Sequence, residues 1–136
     1  VLPAGSLLTG LGLAALVGGM LFFGAVMAPL VFTKLPPDIA GPFIRTAFPR
    51  YYAFIIASAG IGAVGFFVRG QTSAAIALLL IVLLTFWLWF WLIPHLNALR
   101  DAGNTAGFNR GHRLSVWLNA VELITALVLL GRFALR

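Results

Sequence analysis

Apolar residues run through this chain in four long stretches, and polar residues gather between them. The first stretch covers about residues 6–33 and the second about 51–68, neither with a charged residue. The third covers about 73–96 and is uncharged apart from the titratable His95. The fourth covers about 114–130 and is interrupted by Glu122. A helix needs about 20 apolar residues to cross the hydrocarbon core of a bilayer. The runs are continuous rather than alternating, which predicts helices and not the strands of a membrane barrel. The expected fold is all-α: a polytopic membrane protein, one four-transmembrane-helix bundle forming a single domain over 1–136.

The connections differ in character. Residues 34–50 contain Pro36, Pro37, Pro42 and Pro49, with Ile39, Phe43, Ala47 and Phe48 at helical spacing. This predicts a short amphipathic helix over about 37–48 lying at the interface, an irregular proline-broken loop being the other reading. Arg69-Gly70-Gln71-Thr72 predicts a tight turn. Residues 97–111 predict a polar loop rich in Gly, Asn and Arg. There is a faint internal echo: Pro29 ends the first run before Phe48-Pro49-Arg50, and Pro94 ends the third before Phe108-Asn109-Arg110.

Composition narrows the class. Of 136 residues, 62% are hydrophobic and only 9% charged, against roughly 25% charged in a soluble domain. So few charges cannot cover a water-facing surface. A soluble globular domain, a disordered chain and a nucleic-acid partner are therefore excluded. With no Cys in the sequence, disulfides and thiol chemistry are excluded as well. The first run exceeds the roughly 7–15 residues of a signal-peptide core and reads as a retained membrane helix.

The net charge of +6 reads mainly as topology. Lys34, Arg45, Arg50, Arg100, Arg110 and Arg113 flank the first and third connections, and Arg69, Arg132 and Arg136 lie on the opposite side. Basic loops stay in the cytoplasm, so both termini are expected to be non-cytoplasmic. Tyr51, Tyr52, Trp87, Trp89, Trp91 and Trp117 lie towards the basic side, as interfacial aromatics do. The expected location is a bacterial inner membrane.

Gly10, Ala14 and Gly18 repeat at four-residue spacing, and Ser58 and Gly62 do the same in the second run. Small residues so spaced let membrane helices approach closely. They predict that the first helix meets the second, or a second copy of the chain. The lipid bilayer is the first partner expected, and a homo-oligomer or a membrane-complex partner the next.

The candidate chemistry lies mostly in the fourth run. His112, Ser115, Asn119 and Glu122 fall within an arc of under about 90° at roughly 100° per helical residue. An ionisable group inside a membrane is costly against lipid and faces the bundle interior or a wet cavity. Glu122 is near the middle of its run, with Ser58 and Thr85 at similar depth as expected neighbours. The stripe reads either as a pin for helix register or as a site for protons, a cation or a small polar solute. His95 and His112 end one helix and begin the next, a level match that permits a shared metal ion or a bis-His haem; interfacial capping is the plainer reading. Trp87, Trp89 and Trp91, with Phe86 and Phe90, offer stacking surface for a quinone or porphyrin, or an interfacial anchor. The sequence contains no phosphate-binding Gly-rich loop, paired carboxylate site or Ser-His-Asp set.

The order of motifs adds a resemblance. Met27-Ala28-Pro29-Leu30-Val31-Phe32, Ala47-Phe48-Pro49-Arg50-Tyr51-Tyr52, Trp91-Leu92-Ile93-Pro94 and Phe108-Asn109-Arg110-Gly111-His112, continued by Ser115 and Asn119, resemble the transmembrane protein 205-like family of small four-helix membrane proteins. The resemblance covers most of the chain. It implies a four-helix membrane fold and supports His112, Ser115 and Asn119 as a motif, but supplies no reaction. Animal members of that family are linked to tolerance of platinum drugs. In size and helix count the chain is also similar, more distantly, to D-type copper-resistance membrane proteins, although its first helix contains no His. The functional expectation is a non-enzymatic membrane protein without a cofactor that moves or excludes a small solute, metal species or drug. The alternatives are an accessory subunit of a membrane complex and a haem- or copper-binding protein.

Overall fold

The computed structural model describes residues 3–135. Four helices are long and apolar enough to cross a membrane: α1 (Ala4–Lys34), α2 (Pro37–Val68), α3 (Thr72–Asp101) and α4 (Thr105–Ala134). The described residues contain no strand. α1 packs along α2, α2 along α3, and α4 closes the bundle against α1 and α3. The outer faces carry exposed apolar side chains such as Leu7, Leu30, Leu83, Phe90 and Ile124. In water these would be a liability, but against lipid they cost nothing.

The helices are longer than the apolar runs, because the basic connections are themselves helical. Only Leu35 and Pro36 separate α1 from α2. The expected interfacial segment 37–48 and the expected span 51–68 are one continuous helix, which corrects the first of those boundaries. Pro37 starts it at the position where a missing N–H is harmless. Pro42 and Pro49 lie inside it. Thr46 Oγ1 donates to the Pro42 carbonyl and Arg50 Nη1 to the Thr46 carbonyl, both at 3.1 Å. These bonds tie successive turns of the segment, while the carbonyls that the two prolines leave without an N–H donor are those of Asp38 and Arg45, four residues earlier. The buried stripe of this segment is Ala40 and Ile44, packed with Val31 of α1 and with Phe48. Ile39 and Phe43, read as its apolar face, are exposed.

The polar loop expected over 97–111 shrinks to residues 102–104. Asn104 caps α4, its Oδ1 accepting from Gly107 N at 2.9 Å, a bond that lets the helix begin well before the apolar run. Gly103 (φ +77°) and Gly70 (φ +76°) supply the left-handed turn after α3 and α2, a conformation side chains disfavour.

The close seam is between α1 and α2. A methyl group at Gly12 would lie 2.7 Å from Gly62 Cα and 2.8 Å from the Ser58 carbonyl oxygen. One at Gly65 would meet the Thr9 backbone nitrogen and lie 2.9 Å from the Gly5 carbonyl oxygen. The contact line on α1 therefore passes through Gly5, Thr9, Gly12, Leu16 and Gly19, a mean step near 3.5 residues as in left-handed helix pairs. The ridge read from the sequence drifts away from this line. A methyl at Gly10 would lie 3.4 Å from the Phe133 ring of α4, Ala14 is exposed, and a methyl at Gly18 would meet nothing within 4 Å. Ser58 and Gly62 do lie in the seam, but not opposite Ala14 and Gly18. Gly18→Leu is thus expected to leave the fold's stability within about 0.5 kcal/mol of the parent, as exposed substitutions do. A loss of several degrees in thermal unfolding in detergent would show a packed Gly18.

Candidate functional site

α1 and α3 share an irregularity that shapes the bundle interior. Each contains a π-helical turn, Phe22–Met27 and Leu88–Leu92, and each turn ends two residues before a proline, Pro29 and Pro94. Proline cannot donate to the fourth preceding carbonyl and its ring crowds it. That carbonyl belongs to Ala25 in one case and Phe90 in the other, both within the wider turn. π turns of this kind recur at functional sites. The echo read between the two halves thus has a structural counterpart.

α4 brings the polar stripe inward. Glu122 is only 1% exposed. Thr85 Oγ1 of α3 donates to its Oε2 at 2.7 Å, and Asn119 Nδ2, one turn earlier, donates to its Oε1 at 3.2 Å. Asn119 Oδ1 in turn accepts from the Tyr51 hydroxyl of α2 at 2.9 Å. The result is a hydrogen-bonded set, Tyr51–Asn119–Glu122–Thr85, that spans the bundle from α2 to α3. Both carboxyl oxygens are satisfied, as burial requires. Thr85 stands where it was expected. Ser58 does not serve the carboxyl: the two bonds to Glu122 come from Thr85 and Asn119, and Ser58 lies in the α1–α2 seam. Ser115 is buried and its hydroxyl donates to the His112 carbonyl at 2.7 Å.

Tyr51 and Tyr52 read as interfacial aromatics from sequence. They are instead 7% and 2% exposed. The Tyr51 ring stacks on Phe23 of the first π turn, with centroids 4.2 Å apart, and Phe48 packs edge-on against both rings. Tyr51 is the site residue the sequence reading missed. Its signal was the phenol itself, since a buried tyrosine hydroxyl needs a partner.

Beside this set lies a cavity of about 200 Å³, lined by Phe23, Gly24 and Ala28 of α1, Tyr51 of α2, and His112 and Asn119 of α4 among others. A smaller one of about 110 Å³ shares Phe32, Phe48, His112 and Ser115 with it and reaches Asn97, Arg45 and Arg100. Arg45 pairs with Asp101 at 2.6 Å. The Arg100 guanidinium lies 4.4 Å over the Phe108 ring. The stripe therefore runs from a basic mouth, past His112 and Ser115, to Asn119, with Glu122 behind it.

The two histidines part company. His112 stacks on Phe108 and lines both cavities. His95 is exposed and stacks on Trp91, which stacks on Trp87, an aromatic ladder on the outer face of α3. Trp89 turns towards the core. Among the described residues no three of His, Cys, Asp and Glu gather as a metal site would require.

At the opposite end of the bundle, Arg69 Nη1 donates to Ser6 Oγ at 2.6 Å and Nε to Gln71 Oε1 at 3.0 Å, tying α1 to the α2–α3 turn.

No curated protein and no solved structure matches the chain. A family model does, over residues 11–105. The match takes in most of α1, all of α2 and α3, and ends at the first residue of α4. Tyr51 and Thr85 lie inside it, and Asn119 and Glu122 beyond it. With well over half its length matched, the chain belongs to the family described as Domain of unknown function (DUF4149).

Proposed function

We propose that the protein is a non-enzymatic membrane component that moves a small solute, metal species or drug along the α4 stripe. The observation that carries this reading is the buried Glu122, bonded through Asn119 to Tyr51 on the wall of a cavity that continues to a basic mouth. A buried carboxyl in a membrane bundle is costly. A role in pinning helix register would need only the bonds to Thr85 and Asn119. The adjoining cavity, largely apolar but reached by the Tyr51, Asn119 and Ser115 side chains, is what favours a functional role. The likeness in motif order to transmembrane protein 205-like proteins, with its platinum-tolerant animal members, supports including metal and drug species among the solutes tried. The test is reconstitution in vesicles, following proton and solute flux. Glu122→Gln, which keeps the size but cannot titrate, should fold and lose proton-coupled flux. Unchanged flux would leave the carboxyl a structural pin.

Two other readings have less support. A bis-His haem or copper centre needs both imidazoles at one point, and His95 stacks outside the cavity that His112 lines. An accessory-subunit role, or self-association, is favoured by the exposed Ala14 and Gly18 ridge; native mass of the solubilised protein, with and without Gly18→Leu, tests it.

For topology we propose non-cytoplasmic termini in a bacterial inner membrane, on the basis of the Lys and Arg distribution. A reporter active only in the cytoplasm should be silent when fused after Arg136. Activity there would reverse the orientation.

A further inference from the structure

The two cavities differ in chemistry along their length, and that gradient selects a ligand. At the mouth, Arg45 and Arg100 line the smaller cavity. Arg45 is held by Asp101. Arg100 makes no hydrogen bond or ion pair among the described residues and rests on the Phe108 ring, where its fork remains open to an anion. Deeper in, the walls are Phe32, Phe48, Ile93 and Leu96, then Phe23, Ala28 and Val116. No carboxylate lines either cavity, since Glu122 lies behind Asn119. The inner cavity offers the polar groups of Tyr51, Tyr52, Asn119 and Ser115, with His112 on the wall it shares with the outer one. A cation would meet guanidinium at the entrance, and a compact inorganic anion would gain nothing from the aromatic interior. These two volumes together only reach the low end of small-molecule pockets, roughly 300 Å³, and beyond the arginines a larger cavity of about 650 Å³ opens past Pro37 and Gly41.

Resting on the reading that the α4 stripe serves a small solute, we propose that this groove binds a single-chain anionic amphiphile of the free fatty acid class. Its carboxylate pairs with Arg100, a charge-assisted bond in a bidentate geometry that guanidinium favours. Its chain passes between Phe32 and Phe48 and ends beside Tyr51 and Asn119. The small volume of these two cavities suits one acyl chain rather than two.

The probe is dodecanoate carrying an aliphatic diazirine near its methyl end, photolysed with the full-length protein in nanodiscs of neutral phosphatidylcholine. Label is expected on peptides containing Tyr51 or Val116, and excess unlabelled dodecanoate should displace it. Arg100→Gln should cut labelling about tenfold, the scale of one lost charge-assisted pair. Ala28→Phe, which fills the inner cavity and leaves Arg100 in place, should also abolish the inner label. Both variants should elute from size exclusion as the parent does. Label spread over lipid-facing positions and indifferent to Arg100→Gln would overturn the proposal. So would equal labelling by a dodecylamine carrying the same diazirine. Displacement by phosphatidylglycerol as effectively as by dodecanoate would assign the mouth to a two-chain lipid headgroup and overturn the single-chain ligand. Glu122→Gln should leave the label unchanged, because Glu122 lines neither cavity. Labelling retained with normal flux in that variant would remove the carboxyl's role and keep the ligand. Flux lost in it with no labelling in the parent would do the reverse.

Discussion

Glu122→Leu should destabilise the bundle by about 1–3 kcal/mol, the usual cost of stranding a buried hydrogen-bonding group, while Glu122→Gln should cost under about 1 kcal/mol. The difference follows from what the neighbours can do. Leucine leaves the Asn119 amide and the Thr85 hydroxyl facing a hydrocarbon side chain at a site that is 1% exposed. The threonine can rotate its hydroxyl towards a carbonyl of its own helix and recover part of the loss. Asn119 is already committed through Oδ1 to Tyr51, and its N–H has no such alternative. Glutamine behaves differently because it carries one acceptor and one donor. Its carbonyl can take the Asn119 N–H, and its amide can donate to Thr85 if that hydroxyl turns to accept. Thr85→Val should remove this accommodation and make Glu122→Gln costlier, a coupling that a double-mutant cycle reads directly. Unfolding in mixed detergent, monitored by tryptophan fluorescence, gives the four stabilities. A Leu variant as stable as the parent would show that the carboxyl is not held by these partners.

The sequence made the membrane class legible, because so many apolar and so few charged residues have no soluble solution. It also made the inward aim of Glu122 legible, since a carboxyl in that position has nowhere else to go. Helix ends were not legible. Hydropathy marks where the hydrocarbon ends, and helices here continue past it: α2 begins at Pro37 and α4 at Thr105. The segment 37–48 was read as a separate short helix, with a proline-broken loop as the other reading, but the helix runs through Pro42 and Pro49 into the second span. The packing face of α1 was missed for a geometric reason. A four-residue repeat at 10, 14 and 18 shares no position with a seam that advances by four and three residues in turn through 5, 9, 12, 16 and 19. Tyr51 was missed because tyrosine at the end of an apolar run usually reads as an interfacial anchor. Only the fold shows that the chain continues as helix beyond it and buries the phenol against Asn119.

Gly12→Leu should be more damaging than the same change at Gly18, two turns along the same helix. The Gly12 position leaves 2.7 Å to Gly62 Cα and 2.8 Å to the Ser58 carbonyl, and both neighbours are backbone that cannot rotate away. Accommodating even a methyl group means moving α1 off α2. That movement opens the layer in which Leu13, Leu16, Ile55 and Ala59 are fully buried, so overpacking and lost contact add. A cost of about 1–3 kcal/mol is usual for overfilling a packed core, and Gly12→Leu belongs at the upper end because the obstacle is main chain. The effect should also reach the cavity. α1 contributes Phe23 and Ala28 to its lining and α2 contributes Tyr51, with the Phe23 and Tyr51 rings stacked 4.2 Å apart. Separating the helices spreads those rings and loosens the position of the Tyr51 hydroxyl against Asn119. Gly12→Leu is therefore expected to lower both the unfolding temperature and any flux through the stripe, while Gly18→Leu and Gly60→Ala, which meet nothing within 4 Å, alter neither in the monomer. Equal stabilities for the Gly12 and Gly18 variants would mean that α1 does not lie against α2 along this seam.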